Sequence, residues 1–171
     1  YEWYLGVWNL QDSLPLHLCG ITAIIASLCM LFPLQKLYEF LFYWGVAGSL
    51  HSLLTPELTK GDRSLLLPDY FIAHGGMGLS VLYLTYITGF RPGKNSWWKM
   101  LIYTQLFAAV VGVANYFLHA NYMYLCAPPI ADNPLVIGNW PWYILVFELA
   151  AVAHFYITYL IFRNRKAPLA E

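Results

Sequence analysis

Apolar runs, each close to the roughly 20 residues that cross a bilayer, alternate along this chain with short stretches rich in Gly, Pro, Asp and Asn. Five runs stand out, at residues 14–34, 37–54, 69–89, 98–118 and 140–162. Each is expected to be a helix, because lipid offers backbone N–H and C=O groups no partners outside the segment. The edges carry start and stop signals. Asp12-Ser13 before Leu14-Pro15 reads as an N-cap with proline in the first turn. Leu67-Pro68-Asp69 and Asn139-Trp140-Pro141 open the third and fifth runs in the same style. Gly89, followed by Arg91-Pro92-Gly93, closes the third. The expected fold is all-α: a polytopic transmembrane helical bundle, one domain over residues 1–171, with five spans in this chain.

Basic residues orient it. Lys36, Arg91, Lys94, Lys99, Arg163, Arg165 and Lys166 fall on one side, Lys60 and Arg63 on the other. Positively charged loops stay cytoplasmic, so the first turn between runs, the loop between the third and fourth, and the C-terminus are expected inside. The N-terminus and the loops at 55–67 and 119–139 then face outward. An outward Tyr1 implies one more helix upstream, six in the intact protein, or a cleaved signal peptide.

Composition agrees. The chain is 60% hydrophobic and 11% charged, against about 45–50% and about 25% for ordinary soluble domains. So few charges cannot cover a water-facing surface, and so many apolar residues exclude disorder. A formal net charge of zero offers no basic face for nucleic acid; the expected partners are membrane lipids, with partner subunits of a membrane complex as a second option. Aromatics at 18% suit two membrane interfaces. Cys19, Cys29 and Cys126 show no metal-ligand spacing and imply no disulfide framework. No cofactor is expected. Gly75-Gly76-Met77-Gly78 and Gly45-Val46-Ala47-Gly48 read as sites of close helix approach.

Polar groups inside the spans are expensive, so each is a candidate functional residue. Cys19 and His74 each lie five residues into a helix entering from outside, roughly 7–8 Å below its start. His51 falls about one turn from the outer end of the second run, Asn115 and His119 in the last turn of the fourth, and Glu148 about two turns into the fifth. With His17, these seven residues form one outer layer, whereas Cys29 and His154 lie in the cytoplasmic half and read as structural. Packing or interfacial roles compete for each residue. A thiol is the strongest nucleophile of the set once an imidazole accepts its proton. Cys19 and His74, at equal depth, are therefore the expected pair, with Asn115 or Glu148 orienting the imidazole. At that depth the natural electrophile is a phospholipid acyl ester. Two other readings use the same residues: metal or haem binding by a histidine layer, and a non-catalytic subunit of a larger membrane complex.

Several blocks resemble the YwaF family of bacterial integral membrane proteins. They are Leu14-Pro15-Leu16-His17-Leu18-Cys19-Gly20-Ile21-Thr22, Tyr43-Trp44-Gly45-Val46-Ala47-Gly48 with Leu54-Thr55-Pro56, and Phe71-Ile72-Ala73-His74-Gly75. Gly112 with Asn115-Tyr116, Ala120-Asn121-Tyr122-Met123 and Trp140-Pro141-Trp142-Tyr143 continue the match over nearly the whole chain. The resemblance implies one further transmembrane helix before these blocks. Its animal relative, transmembrane protein 164, is described as an acyltransferase that moves a polyunsaturated acyl chain from a phospholipid to a lyso-ether-phospholipid. It uses a cysteine on one helix and a histidine two helices later. The androgen-induced membrane hydrolases, with a Thr–His pair, are more distant relatives. The resemblance implies a bacterial cytoplasmic-membrane protein with Cys19 in His-Leu-Cys-Gly as the cysteine and His74 in Ala-His-Gly as the histidine.

Overall fold

In a computed structural model the chain is described at residues 2–58 and 65–163. Tyr1, Lys60, Arg63, Arg165 and Lys166, which carry part of the orientation argument, lie outside the described residues. The described chain is all-helical: α1 (Leu18–Leu31), α2 (Gln35–Phe40), a π segment (Leu41–Gly45), α3 (Val46–Leu54), α4 (Leu66–Tyr86), α5 (Ser96–Leu118), a 3-10 turn (Tyr122–Tyr124) and α6 (Trp142–Phe162). α2, the π segment and α3 form one continuous rod.

The first helix starts later than its apolar run. Asn9 Oδ1 accepts the N–H groups of Gln11 and Asp12 at 2.9 and 3.1 Å, and Leu16 N–H donates to Leu14 O at 2.8 Å. Turns therefore occupy the run up to His17, the N-cap, whose backbone is extended. Pro33 follows the C-cap Phe32 and ends α1. α4 begins at Leu66, so Pro68 and Asp69 sit in its first turn, where both are favoured. As a result Cys19 lies in the first turn of α1 and His74 in the third turn of α4. Counted from the helix starts, the expected equal depth does not hold.

The rod is the core. Tyr38, Leu41, Phe42, Tyr43 and Trp44 are buried, together with Met77, Val81 and Leu84 of α4, Met100 of α5, and Phe155 and Tyr159 of α6. The polar atoms of these aromatics are satisfied across helices, as burial requires. Tyr38 and Thr85 hydroxyls pair at 2.9 Å, Tyr43 and Ser96 at 2.7 Å, and Trp44 Nε1 donates to Thr104 at 2.8 Å. Of the glycines expected to admit a neighbouring helix, Gly75 and Gly76 face open space. A Cβ on Gly78 would meet Ser49 Oγ at 3.3 Å.

Among the described residues two helices, α5 and α6, are long and apolar enough to cross a membrane. α1 is apolar but only 14 residues long, and the rod and α4 do not meet that standard, so the five-span expectation is met in two helices. Only 17% of each crossing window is buried within the protein. Leu106, Val110, Val113 and Phe117 of α5 and Leu145, Leu149 and Ile157 of α6 point outward, an apolar surface that requires a non-aqueous cover.

Candidate functional site

One end of the bundle holds a half-open cavity of about 790 Å³, within the range of small-molecule sites. α1, α3, α4 and α6, with Thr104 and Ala108 of α5, form its walls, and residues near the N-terminus together with the 119–139 loop cover it. Cys19, His74, His17, His51, Glu148 and His154 all line it. Among the described residues it has no Lys or Arg lining.

The start of α1 places Cys19. The first intrahelical bond there is from Ile21 N–H to His17 O at 3.2 Å. The N–H groups before it therefore lie at the positive end of the helix dipole without intrahelical partners. The chain reaches this point by folding Pro15 over Gly20; a Cβ at Gly20 would lie 3.0 Å from Pro15 Cα. A side chain there would have to push that backbone aside.

α4 places His74, which is buried at 7% exposure. Its Nδ1 donates to Tyr70 O at 2.7 Å. A carbonyl can only accept, so the proton is on Nδ1 and Nε2 carries a lone pair. Nε2 is the only buried side-chain N or O among the described residues without a hydrogen-bond partner. Tyr70 also packs its ring against the imidazole, with centroids 4.2 Å apart and the planes tilted by 37°. Its hydroxyl donates to Ser52 O at 3.2 Å and accepts Glu57 N–H at 3.3 Å. No hydrogen bond joins Cys19 to His74; the cavity lies between the residues that line it. The arrangement presents a thiol at a helix N-terminus and an imidazole with a free lone pair to one cavity.

The remaining expected residues divide. Glu148 lines the cavity and accepts Gln105 Nε2 at 2.5 Å. His17 Nδ1 accepts Met123 N–H at 3.3 Å, and its ring contacts those of Tyr122 and Tyr124. Asn115 and His119 do not reach the cavity. They line a separate open depression with Tyr116, Phe117, Ala120 and Cys126. Asn115 spends its amide on the backbone of Tyr122, donating Nδ2–H to the carbonyl at 2.9 Å and accepting the N–H at 2.9 Å. His119 caps α5 with a left-handed backbone, φ 50°. Among the described residues no group of three or more His, Cys, Asp or Glu side chains is placed to hold a metal ion.

The cover is tied down by polar contacts. Tyr122 accepts Leu14 N–H and donates to Leu10 O, both at 2.9 Å. Tyr143 donates to Tyr124 O at 2.7 Å and Trp140 to Leu125 O at 2.9 Å. The Glu57 carboxylate accepts the N–H groups of Ile130 and Ala131 at 2.8 and 2.7 Å. Burial pushes the Tyr122 phenol up. Burial and the Glu57 carboxylate push Tyr124 up.

Sequence reasoning missed Tyr70, Glu57 and His154. Tyr70 was visible as the residue one helical turn before His74. His154 follows Ala150 and Ala151 by one turn, and all three line the cavity; that spacing is the signal of a shared face.

The model of the TMEM164 family matches residues 1–159. No curated protein and no solved structure matches the chain.

Proposed function

Because the chain belongs to the TMEM164 family, we propose that it is a membrane protein performing acyl transfer on lipid esters, with Cys19 as nucleophile and His74 as base. The observation that carries this reading is the unpartnered Nε2 of His74, held as a lone-pair acceptor in the cavity that Cys19 also lines.

In the first half-reaction Nε2 takes the thiol proton and Sγ attacks the ester carbonyl, forming the C–S bond. The tetrahedral intermediate expels the alkoxide, which receives the proton from the imidazolium and leaves as an alcohol. A thioester on Cys19 remains. In the second half, Nε2 takes the proton of an acceptor hydroxyl, whose oxygen attacks the thioester and releases the thiol; water as acceptor makes the same step a hydrolysis. The free N–H groups at the start of α1 supply donors for developing negative charge. Asn115, committed to Tyr122, has no part in this step. Glu148 lines the chamber at some remove in chain from both reacting groups.

The same reading places all five apolar runs in the bilayer of a bacterial cytoplasmic membrane, C-terminus inside. The outward apolar faces of α5 and α6 and the resemblance to bacterial membrane proteins support it. The test is purified protein in lipid nanodiscs, assayed for acyl exchange and for a covalent acyl adduct. Cys19→Ala and His74→Ala are expected to lower turnover by about a hundredfold or more, while Cys29→Ala and Cys126→Ala retain it. Undiminished turnover in either of the first two overturns the assignment. The exposed faces of α5 and α6 then favour a subunit of a membrane complex.

A further inference from the structure

Four imidazoles line the cavity: His17, His51, His74 and His154. His17 is engaged by Met123 N–H and His74 by Tyr70 O. The other two, His51 on α3 and His154 on α6, face each other with ring centroids 5.6 Å apart. Their backbone carbonyls accept Thr55 and Thr158 hydroxyls, but neither ring has a hydrogen bond to a described residue. Five carboxylates also line the chamber: Glu57 accepts two backbone N–H groups and Glu148 accepts Gln105, while Glu2 and Asp12 precede α1 and Asp69 lies in the first turn of α4. Between the two histidines' helices the wall is built of Gly48, Ala150 and Ala151, so space beside the rings stays open.

We propose that His51 and His154 form a subsite for a phosphate oxyanion, the phosphodiester of the lipid whose ester chain reaches Cys19. This rests on the acyl-transfer reading for the identity of that lipid. Each imidazole offers one N–H in its neutral form and a second when protonated, and no other side chain of the described lining brings a cationic donor. The spacing fits: an oxygen at a hydrogen-bond distance of about 2.8 Å from one nitrogen of each ring bridges centroids separated in this way. Hydrogen bonds to a charged acceptor are worth more than neutral ones. One such donor pair orients a phospholipid that would otherwise slide along the apolar part of the wall.

The experiment measures binding without chemistry. A fluorescent diether phospholipid, which has no ester to cleave, is compared with the matching dialkylglycerol lacking phosphate, both against full chain in detergent micelles. The wild type is expected to prefer the phosphate-bearing probe by about tenfold or more. His51→Leu and His154→Leu each reduce that ratio severalfold, His51→Gln and His154→Gln retain part of it, and His119→Asn, outside the cavity, leaves it intact. Inorganic phosphate that displaces the probe from wild type but not from the Leu variants supports the site with the free ion as ligand. No displacement, with the probe preference intact, supports the lipid phosphodiester. A wild-type ratio near one, or a ratio unchanged in both folded Leu variants, overturns the proposal. Loss of the Cys19 acyl adduct assay with the ratio intact fails the acyl reading alone.

Discussion

His74 donates Nδ1–H to the carbonyl of Tyr70, one turn earlier on the same helix, at 2.7 Å, and the Tyr70 ring covers the imidazole at 4.2 Å. The base is thus oriented by its own helix, and the side chain of Tyr70 serves as its backstop. Tyr70→Phe keeps the ring contact and loses the hydroxyl bond to Ser52 O, so a stability cost near 1 kcal/mol is expected with activity largely retained. Tyr70→Ala removes the ring contact and is expected to lower kcat more than it changes KM. Equal loss in both variants would place the effect in the hydroxyl instead.

Asn115 holds the 3-10 turn of the cover from inside the fold. Asn115→Ala leaves the N–H and C=O of Tyr122 without their partners. The expected cost is about 2–5 kcal/mol, read as thermal unfolding in detergent. Asn115→Asp keeps the acceptor and loses the donor, and is expected to fall between.

The glycines separate cleanly. Gly20→Ala forces a Cβ against the backbone of Pro15 at 3.0 Å and is expected to destabilise by about 1–3 kcal/mol. Gly75→Ala and Gly76→Ala meet nothing within 4 Å and are expected to be neutral or to stabilise α4 by up to about 1 kcal/mol. Denaturant or thermal midpoints of the three variants check both directions.

Glu57 ties the start of the α3–α4 connection to Ile130 and Ala131. Glu57→Gln replaces two charge-assisted bonds with at most one neutral acceptor, a loss of about 1–2 kcal/mol. Hydrogen exchange at 128–135 is expected to speed up about tenfold, while exchange in the buried rod stays unchanged.

Tyr122 works only while protonated, since its hydroxyl donates to Leu10 O. Burial raises its folded pKa above the unfolded value of about 10. With the folded value the higher, this contribution is fully present below about pH 10 and is lost as pH rises through the folded value. Thermal midpoints compared at pH 8 and pH 11 are expected to drop less in Tyr122→Phe than in wild type, with Tyr124 supplying a drop of the same sign in both.

The helices were legible because apolar run length and Pro, Gly and Asp punctuation are local signals. α5 was expected at 98–118 and forms at Ser96–Leu118. The start of α1 was not legible. Asn9 and Tyr122 hold residues before His17 in turns, and the second of these lies more than a hundred residues away in the chain. Depth counted along a helix therefore misjudged both Cys19 and His154. Cys19, His74, His51, His17 and Glu148 line one chamber although the count that grouped them was wrong, because one end of a bundle gathers polar residues from several helices. Asn115 looked like a chamber residue because its true partner, the backbone of Tyr122, has no sequence signature.

The π segment at Leu41–Gly45 sets the aim of everything beyond it in the rod. A wide turn holds about one residue more than an α-turn, which at 3.6 residues per turn rotates the following helix by about 100°. Tyr38 and Trp44 turn into the core on one side of that rotation, and Ala47, Gly48 and His51 turn into the chamber on the other. Deleting a single residue within 41–45 would keep the rod helical and swing His51 off the cavity wall. The chamber's composition is therefore fixed by an insertion at a distance from it, in the most buried part of the protein.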